Sequence, residues 1–207
     1  MSERPSTPAQ AWAALVEGNQ RFVAGTYSHP NQDAARRSSL AGGQTPFALF
    51  FGCADSRVAA EIIFDQGLGD LFVVRTAGHV VDTAVLGSLE FGVGVLEIPL
   101  IVVLGHDSCG AVAATMRAVE NGDVPPGYVR DIVERVTPSV LESRRLGMRT
   151  ADAIEAQHVS NTIDLLLERS RLLSLRVDYG RLAIVGATYA LADGQARLTR
   201  SVGLPAG

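Results

Sequence analysis

Phe47-Ala48-Leu49-Phe50-Phe51-Gly52-Cys53-Ala54-Asp55-Ser56-Arg57 and Leu100-Ile101-Val102-Val103-Leu104-Gly105-His106-Asp107-Ser108-Cys109-Gly110 are the two stretches that decide how this chain folds. Each is a short apolar run without polar alternation, the pattern of a strand buried on both faces. Each run ends at a glycine and is followed at once by cysteine or histidine and an acidic residue. A helical pattern then begins. Two such strand–turn–helix units side by side would bring both sets of reactive side chains to one crevice beyond the carboxyl ends of the strands.

Working outward, Thr7-Pro8 predicts a helix start, a capping hydroxyl followed by proline at the first helical position. Trp12, Leu15, Val16, Phe22 and Val23 recur at helical spacing up to Gly25. A polar connection over residues 26–32 leads to a short helix over 34–40 that ends at Gly42-Gly43. Further strands are expected at 71–75 and 182–189. Helices are expected at 58–64, 82–96, 110–121, 129–146 and 150–175, and a last strand at 196–201 pairs back across Asp193-Gly194. Strands alternating with helices imply an α/β fold with a central, mostly parallel β-sheet flanked by helices. We expect a single domain over 1–207, made of an N-terminal helical arm (1–45) and an α/β core (46–207). The loop at 120–128 is no linker, and no internal repeat is present.

The 207 residues are 47% hydrophobic and 19% charged, with a net charge of −4. Such a chain folds around a substantial core and carries no basic field for nucleic acid or anionic lipid. The most apolar stretch, 93–105, holds Glu97 and Pro99 and is too short to span a bilayer. Met1 to Gln10 lacks the apolar segment of a secretory signal. The expected location is therefore the cytoplasm, where Cys53 and Cys109, the only two cysteines, remain thiols rather than a disulfide.

Those thiols have neighbours that suit a metal. His106 and Cys109, three residues apart at a strand-to-helix turn, offer imidazole and thiolate to one tetrahedral zinc ion, and Cys53 offers a third ligand. Three protein ligands leave one position open, the catalytic pattern, whereas a structural site is closed by four. Zinc in such a site makes a bound water acidic, and two thiolates should blunt that effect, so activity is expected to rise toward alkaline pH. Asp55 and Arg57 allow two roles: Asp55, held ionised by Arg57, orients the zinc's hydroxide, or it swings onto zinc as a fourth ligand. Other chemistries use fewer of these residues. Cys53 and Arg57 bracket three residues, too few for a phosphatase loop. A Cys53–His106 nucleophile pair leaves Cys109 unexplained. The glycines near Gly87, Gly92 and Gly94 lack a nucleotide-binding context.

The coupled patterns Cys-x-Asp-x-Arg and His-x-x-Cys resemble the paired signatures of the β-carbonic anhydrases. The resemblance extends through Glu17-Gly18-Asn19-Gln20-Arg21-Phe22, residues 44–57, Phe72-Val73-Val74-Arg75 and the Tyr189 hairpin, and looks nearest to actinobacterial members. It implies a zinc enzyme, one ion per chain, that hydrates CO2 to bicarbonate by zinc-bound hydroxide, built as a homodimer or homotetramer. By position it makes Gln44 an active-site glutamine, Gly110 the residue whose N–H faces a bound anion, and Phe72 and Phe91 the lining of a CO2 pocket. Arg75 and Tyr189 match two residues of an inhibitory bicarbonate site, but Phe50 stands where that site has tryptophan. His79 replaces a common asparagine and is expected to be a surface or capping histidine, with a proton shuttle as the alternative. His29 and His158 lie outside the motifs and are expected to be ordinary structural residues. Alternatives are a CS2 or COS hydrolase on the same scaffold, a non-catalytic zinc or bicarbonate sensor, and a thiol redox protein.

Overall fold

The computed structural model describes residues 4–204; residues 1–3 and 205–207 of the expected 1–207 domain lie outside it. Helix α1 (Pro8–Ala24) starts as its sequence predicts. Gln10 N–H donates to the Thr7 hydroxyl, Thr7 N–H donates to the Gln10 side chain, and Gly25 closes the helix in the left-handed region. Its inner face carries Ala11, Leu15, Gly18 and Asn19. Asn19 anchors the arm: its amide donates to the carbonyls of Ile63 and Gly194 and accepts from Ala196 N–H. A side chain at Gly18 would collide with the Phe64 carbonyl, so backbone meets backbone there.

After the short α2 (Ala34–Ser39) come β1 (Ala48–Cys53), α3 (Ala60–Ile63) and β2 (Leu71–Thr76). A 3-10 turn at Ala77–His79 leads to α4 (Thr83–Gly94), β3 (Leu100–His106), α5 (Gly110–Asn121) and α6 (Val129–Arg145). The chain finishes with α7 (Ala151–Arg169), α8 (Arg171–Asp178), β4 (Ala183–Tyr189) and β5 (Ala196–Val202). The strand order is β2-β1-β3-β4-β5, parallel throughout except for the β4–β5 hairpin. The expected mostly parallel sheet is therefore present.

Strand side chains divide between two cores. Phe50, Leu100, Val102, Leu104 and Val185 pack with α1 and α3 on one face. Leu49, Phe51, Ile101, Val103 and Ile184 pack with α4, α7 and α8 on the other. Burial on both faces explains why these strands read as continuous apolar runs.

One boundary differs from expectation. The helical pattern over 150–175 is two helices, broken at Ser170, whose backbone is extended. The Ser170 hydroxyl accepts from Leu173 N–H, capping α8, and donates to Glu90. A serine that offers its own hydrogen bonds can interrupt a periodic apolar stripe without breaking its period.

From β1 the chain passes to β2 on one side, then returns to β3 on the other. The carboxyl ends of β1 and β3 thus flank a reversal of strand order, where open parallel sheets bind ligands. Cys53 and His106 are the last residues of those strands.

Candidate metal centre

The ligand atoms of Cys53, His106 and Cys109 lie within 4.8 Å of one another, and all three residues are buried. A tetrahedral zinc with bonds of about 2.0–2.3 Å needs ligand atoms about 3.3–3.8 Å apart, compatible with that spacing. Below the cluster, Val112, Val136, Val140 and Ile154 form an apolar floor. Ser108, held at φ 54°, makes the sharp turn that swings Cys109 back toward His106. Cys109 then caps α5.

The tautomer of His106 follows from its surroundings. Nδ1 lies 2.7 Å from the Asp107 carbonyl, an acceptor only, so it carries the proton and donates. Nε2 is buried without a hydrogen-bond partner. A buried imidazole nitrogen that faces two thiols and has no hydrogen-bond partner is placed as a metal ligand would be. Two sulfurs and one nitrogen form a donor set of the kind that zinc and other thiophilic metals take.

The thiols share one proton between them. Cys53 is pulled down to about 4, first because Cys109 hydrogen-bonds to its thiolate and against the opposing effect of burial. The backbone N–H groups of Gly78 and Asp55 add to that effect. Cys109 is pushed up correspondingly by Cys53 and by burial. A thiolate is thus present at the cluster near neutral pH.

Asp55 pairs with Arg57 rather than joining the cluster. Arg57 grips the carboxylate with Nε at 2.9 Å and a terminal nitrogen at 2.7 Å, and Arg57 N–H donates to it at 2.9 Å. The Arg57 side chain first of all holds this carboxylate well below its usual range. The carboxylate still sits 4.0 Å from His106 Nε2, at the mouth of the cluster. Arg57 also reaches the Ser108 carbonyl at 3.4 Å, tying the loop after β1 to the loop after β3.

Arg75 is committed to the same loop. It donates to the Cys53 carbonyl at 2.9 Å and the Asp55 carbonyl at 2.6 Å. Phe50 is buried against Phe64, and Tyr189 is buried at the end of β4. Gly110 is exposed at the first position of α5, and open space surrounds the place where a side chain would be.

Other expected site residues lie elsewhere in the chain. Gln44 is exposed, upstream of the amino end of β1, while Cys53 stands at the carboxyl end. Phe72 is four residues before Thr76, the residue that pairs with Cys53, or about 13 Å along the strand. It packs against Phe91, with ring centroids 6.1 Å apart, and Phe91 is 45% exposed. Within one chain, then, Gln44, Phe72 and Phe91 are separated from the thiols.

His79 is not at the surface. It is fully buried, between the rings of Phe51 and His158, with a positive φ of 42°. A histidine beside glycine in a short stretch between strand and helix gave no periodicity to place it inside. Sequence reasoning also passed over Glu155, which is 2% exposed and accepts from His106 N–H at 3.2 Å. Burial pushes its carboxyl up to about 8. The available signal was a glutamate and a histidine, Glu155 and His158, on the buried stripe of α7 with Ile154, Val159 and Ile163.

Comparison with known proteins agrees with this geometry. A family model described as carbonic anhydrase matches residues 48–196. Carbonic anhydrase 2 of Mycobacterium tuberculosis is 61% identical over 200 residues, covering 96% of this chain and 97% of that protein. The carbonic anhydrase of Mycolicibacterium smegmatis is 60% identical over 198 residues, covering 96% of each. A Coccomyxa β-carbonic anhydrase structure in complex with acetazolamide superposes with a TM-score of 0.73 at 26% identity, covering 91% of this chain and 86% of that one. With the actinobacterial likeness borne out in this way, the chain belongs to the β-carbonic anhydrase family and is a carbonic anhydrase.

Proposed function

We propose that this carbonic anhydrase hydrates CO2 reversibly at a single zinc ion held by Cys53, His106 and Cys109. The observation that carries the reading is the convergence of two thiols and the unpartnered His106 Nε2 within 4.8 Å, at the reversal point of the sheet. When bound, zinc supplies a hydroxide nucleophile near neutral pH by lowering the pKa of water from 15.7 to about 7, a magnitude established for a three-histidine carbonic anhydrase and carried over here. Two thiolates neutralise more of the metal's charge, which supports a higher midpoint and activity that grows toward alkaline pH.

The chain's own groups do the rest. Asp55, ionised by its pairing with Arg57, accepts a hydrogen bond at the mouth of the cluster and aims the nucleophile. Arg75 holds the Cys53 and Asp55 carbonyls, so the loop presents that carboxylate in one position. Gly110 N–H, at the positive end of α5 and bordered by open space, suits an anionic product. Gln44, Phe72 and Phe91, remote from their own thiols and exposed or at an edge strand, serve a partner copy's site in a homodimer or homotetramer. The free thiols Cys53 and Cys109 suit the reducing cytoplasm. Among the described residues no helix is long and apolar enough to cross a membrane.

Stopped-flow CO2 hydration between neutral and alkaline pH, with metal quantified in the same samples, tests the reading. One zinc per chain is expected, with both metal and turnover lost in His106→Ala and Cys109→Ala. Turnover that survives either substitution overturns it.

A further inference from the structure

Gly78 connects the cluster to the protein interior. Its N–H donates to Cys53 Sγ at 3.3 Å, and its carbonyl lies 3.0 Å from His158 Nε2. Since a carbonyl only accepts, Nε2 of His158 carries the proton, and Nδ1 must accept. Ser139 Oγ, 2.9 Å from Nδ1, is there to donate, and Asn161 in turn donates to Ser139 Oγ at 3.3 Å and to Glu142 at 2.8 Å. Every member of this chain of hydrogen bonds is satisfied. Burial holds His158 down to about 4, so the neutral tautomer persists at working pH.

The turn that carries Gly78 is strained and tightly packed. Gly78 and His79 are both left-handed, at φ 64° and 42°. A side chain at Gly78 would lie 2.6 Å from Ala111 Cβ. His79 makes no hydrogen bond through either ring nitrogen and is held by ring contacts, 4.3 Å to His158 and 6.2 Å to Phe51. Such a conformation persists only where its surroundings over-determine it. The Gly78 N–H and carbonyl lie in adjacent peptide planes that meet at its Cα, and the packed left-handed turn holds the torsions between them, so an imidazole that anchors the carbonyl also steadies the N–H.

We propose that His158 is a positioning residue for the metal centre, acting through the backbone of the Gly78 turn to hold an N–H bond on the Cys53 thiolate. This rests on Cys53 being a metal ligand. A thiolate that accepts an N–H bond has its lone pairs stabilised and donates less charge to the metal. Hydrogen bonds to ligating sulfur tune metal sites in this way, and supporting residues outside the ligand set govern affinity.

The test replaces zinc with Co(II), whose thiolate-to-cobalt absorption reports sulfur lone-pair energy. His158→Met removes the donor, while His158→Gln keeps an N–H at similar reach in a side chain of nearly the same shape. Expected for His158→Met are a thiolate band at lower energy than wild type and, because the Cys53 loop is less well held and that outweighs the stronger donor, zinc affinity by chelator competition about tenfold weaker. His158→Gln should stay close to wild type in both. Ser139→Ala, which frees the imidazole while leaving it in place, should shift the band in the same direction by less, and it decides the matter if His158→Met does not fold. An unshifted band in His158→Met, or in Ser139→Ala where that variant decides, overturns the proposal. An equal shift in His158→Gln and His158→Met overturns it too, because bulk rather than the donor would then matter. Wild-type protein with no thiolate-to-cobalt band overturns the metal reading itself.

Discussion

Replacing Glu155 by glutamine should change how the metal-free protein's stability depends on pH. Glu155 is 2% exposed, with one oxygen accepting from His106 N–H and the other without a partner among the described residues. Burial first of all raises its pKa from 4.5 to about 8. The folded state therefore holds a proton that the unfolded chain releases above pH 4.5. Stability falls as pH rises wherever the native state binds more protons, so the window of loss runs from about pH 5 to about pH 8. At 1.36 kcal/mol per pH unit, the loss across that window is about 4 kcal/mol. Glutamine keeps an acceptor for His106 N–H and carries no proton to lose, so Glu155→Gln should lack this slope. Urea unfolding of chelator-treated protein at several pH values reads it directly; chelation matters because a nearby cation would favour the carboxylate. Parallel stability–pH curves for wild type and Glu155→Gln would refute the reasoning.

Asp55→Asn removes the charge at the mouth of the cluster and the bidentate grip of Arg57. Turnover by stopped-flow should fall at least about a hundredfold while zinc content stays at wild-type level, and unchanged turnover would remove Asp55 from the mechanism. Asn19→Ala deletes three hydrogen bonds, two of them buried, that join α1 to α3 and the β4–β5 turn. It should lower unfolding free energy by about 2–4 kcal/mol in denaturant titration, and a change within error would show that the arm is not anchored there.

Much of the molecule was legible from local pattern. The capping residues of α1, the unbroken apolar runs of β1 and β3 and the Asp193-Gly194 reversal each express a preference carried by a few neighbouring residues. The break at Ser170 escaped because the apolar stripe continues through it, and only its contact with Glu90 and its capping bond reveal a boundary. His79 escaped because nothing beside it in sequence announces the two rings, of Phe51 and His158, that enclose it.

Sequence alone determined the α/β architecture and singled out Cys53, His106 and Cys109 as the ligand set proposed above, because strand periodicity and reactive side chains at strand ends are local properties. Tertiary structure decided the rest. It set Asp55 on Arg57 instead of in the cluster, and it separated Gln44, Phe72 and Phe91 from the thiols of their own chain. It also placed Glu155 on the His106 N–H and His158 on the Gly78 carbonyl, behind the Cys53–His106–Cys109 cluster. Those facts depend on which distant groups meet in a low-dielectric interior, where burial and hydrogen-bond partners set charge and direction. No spacing along the chain encodes that.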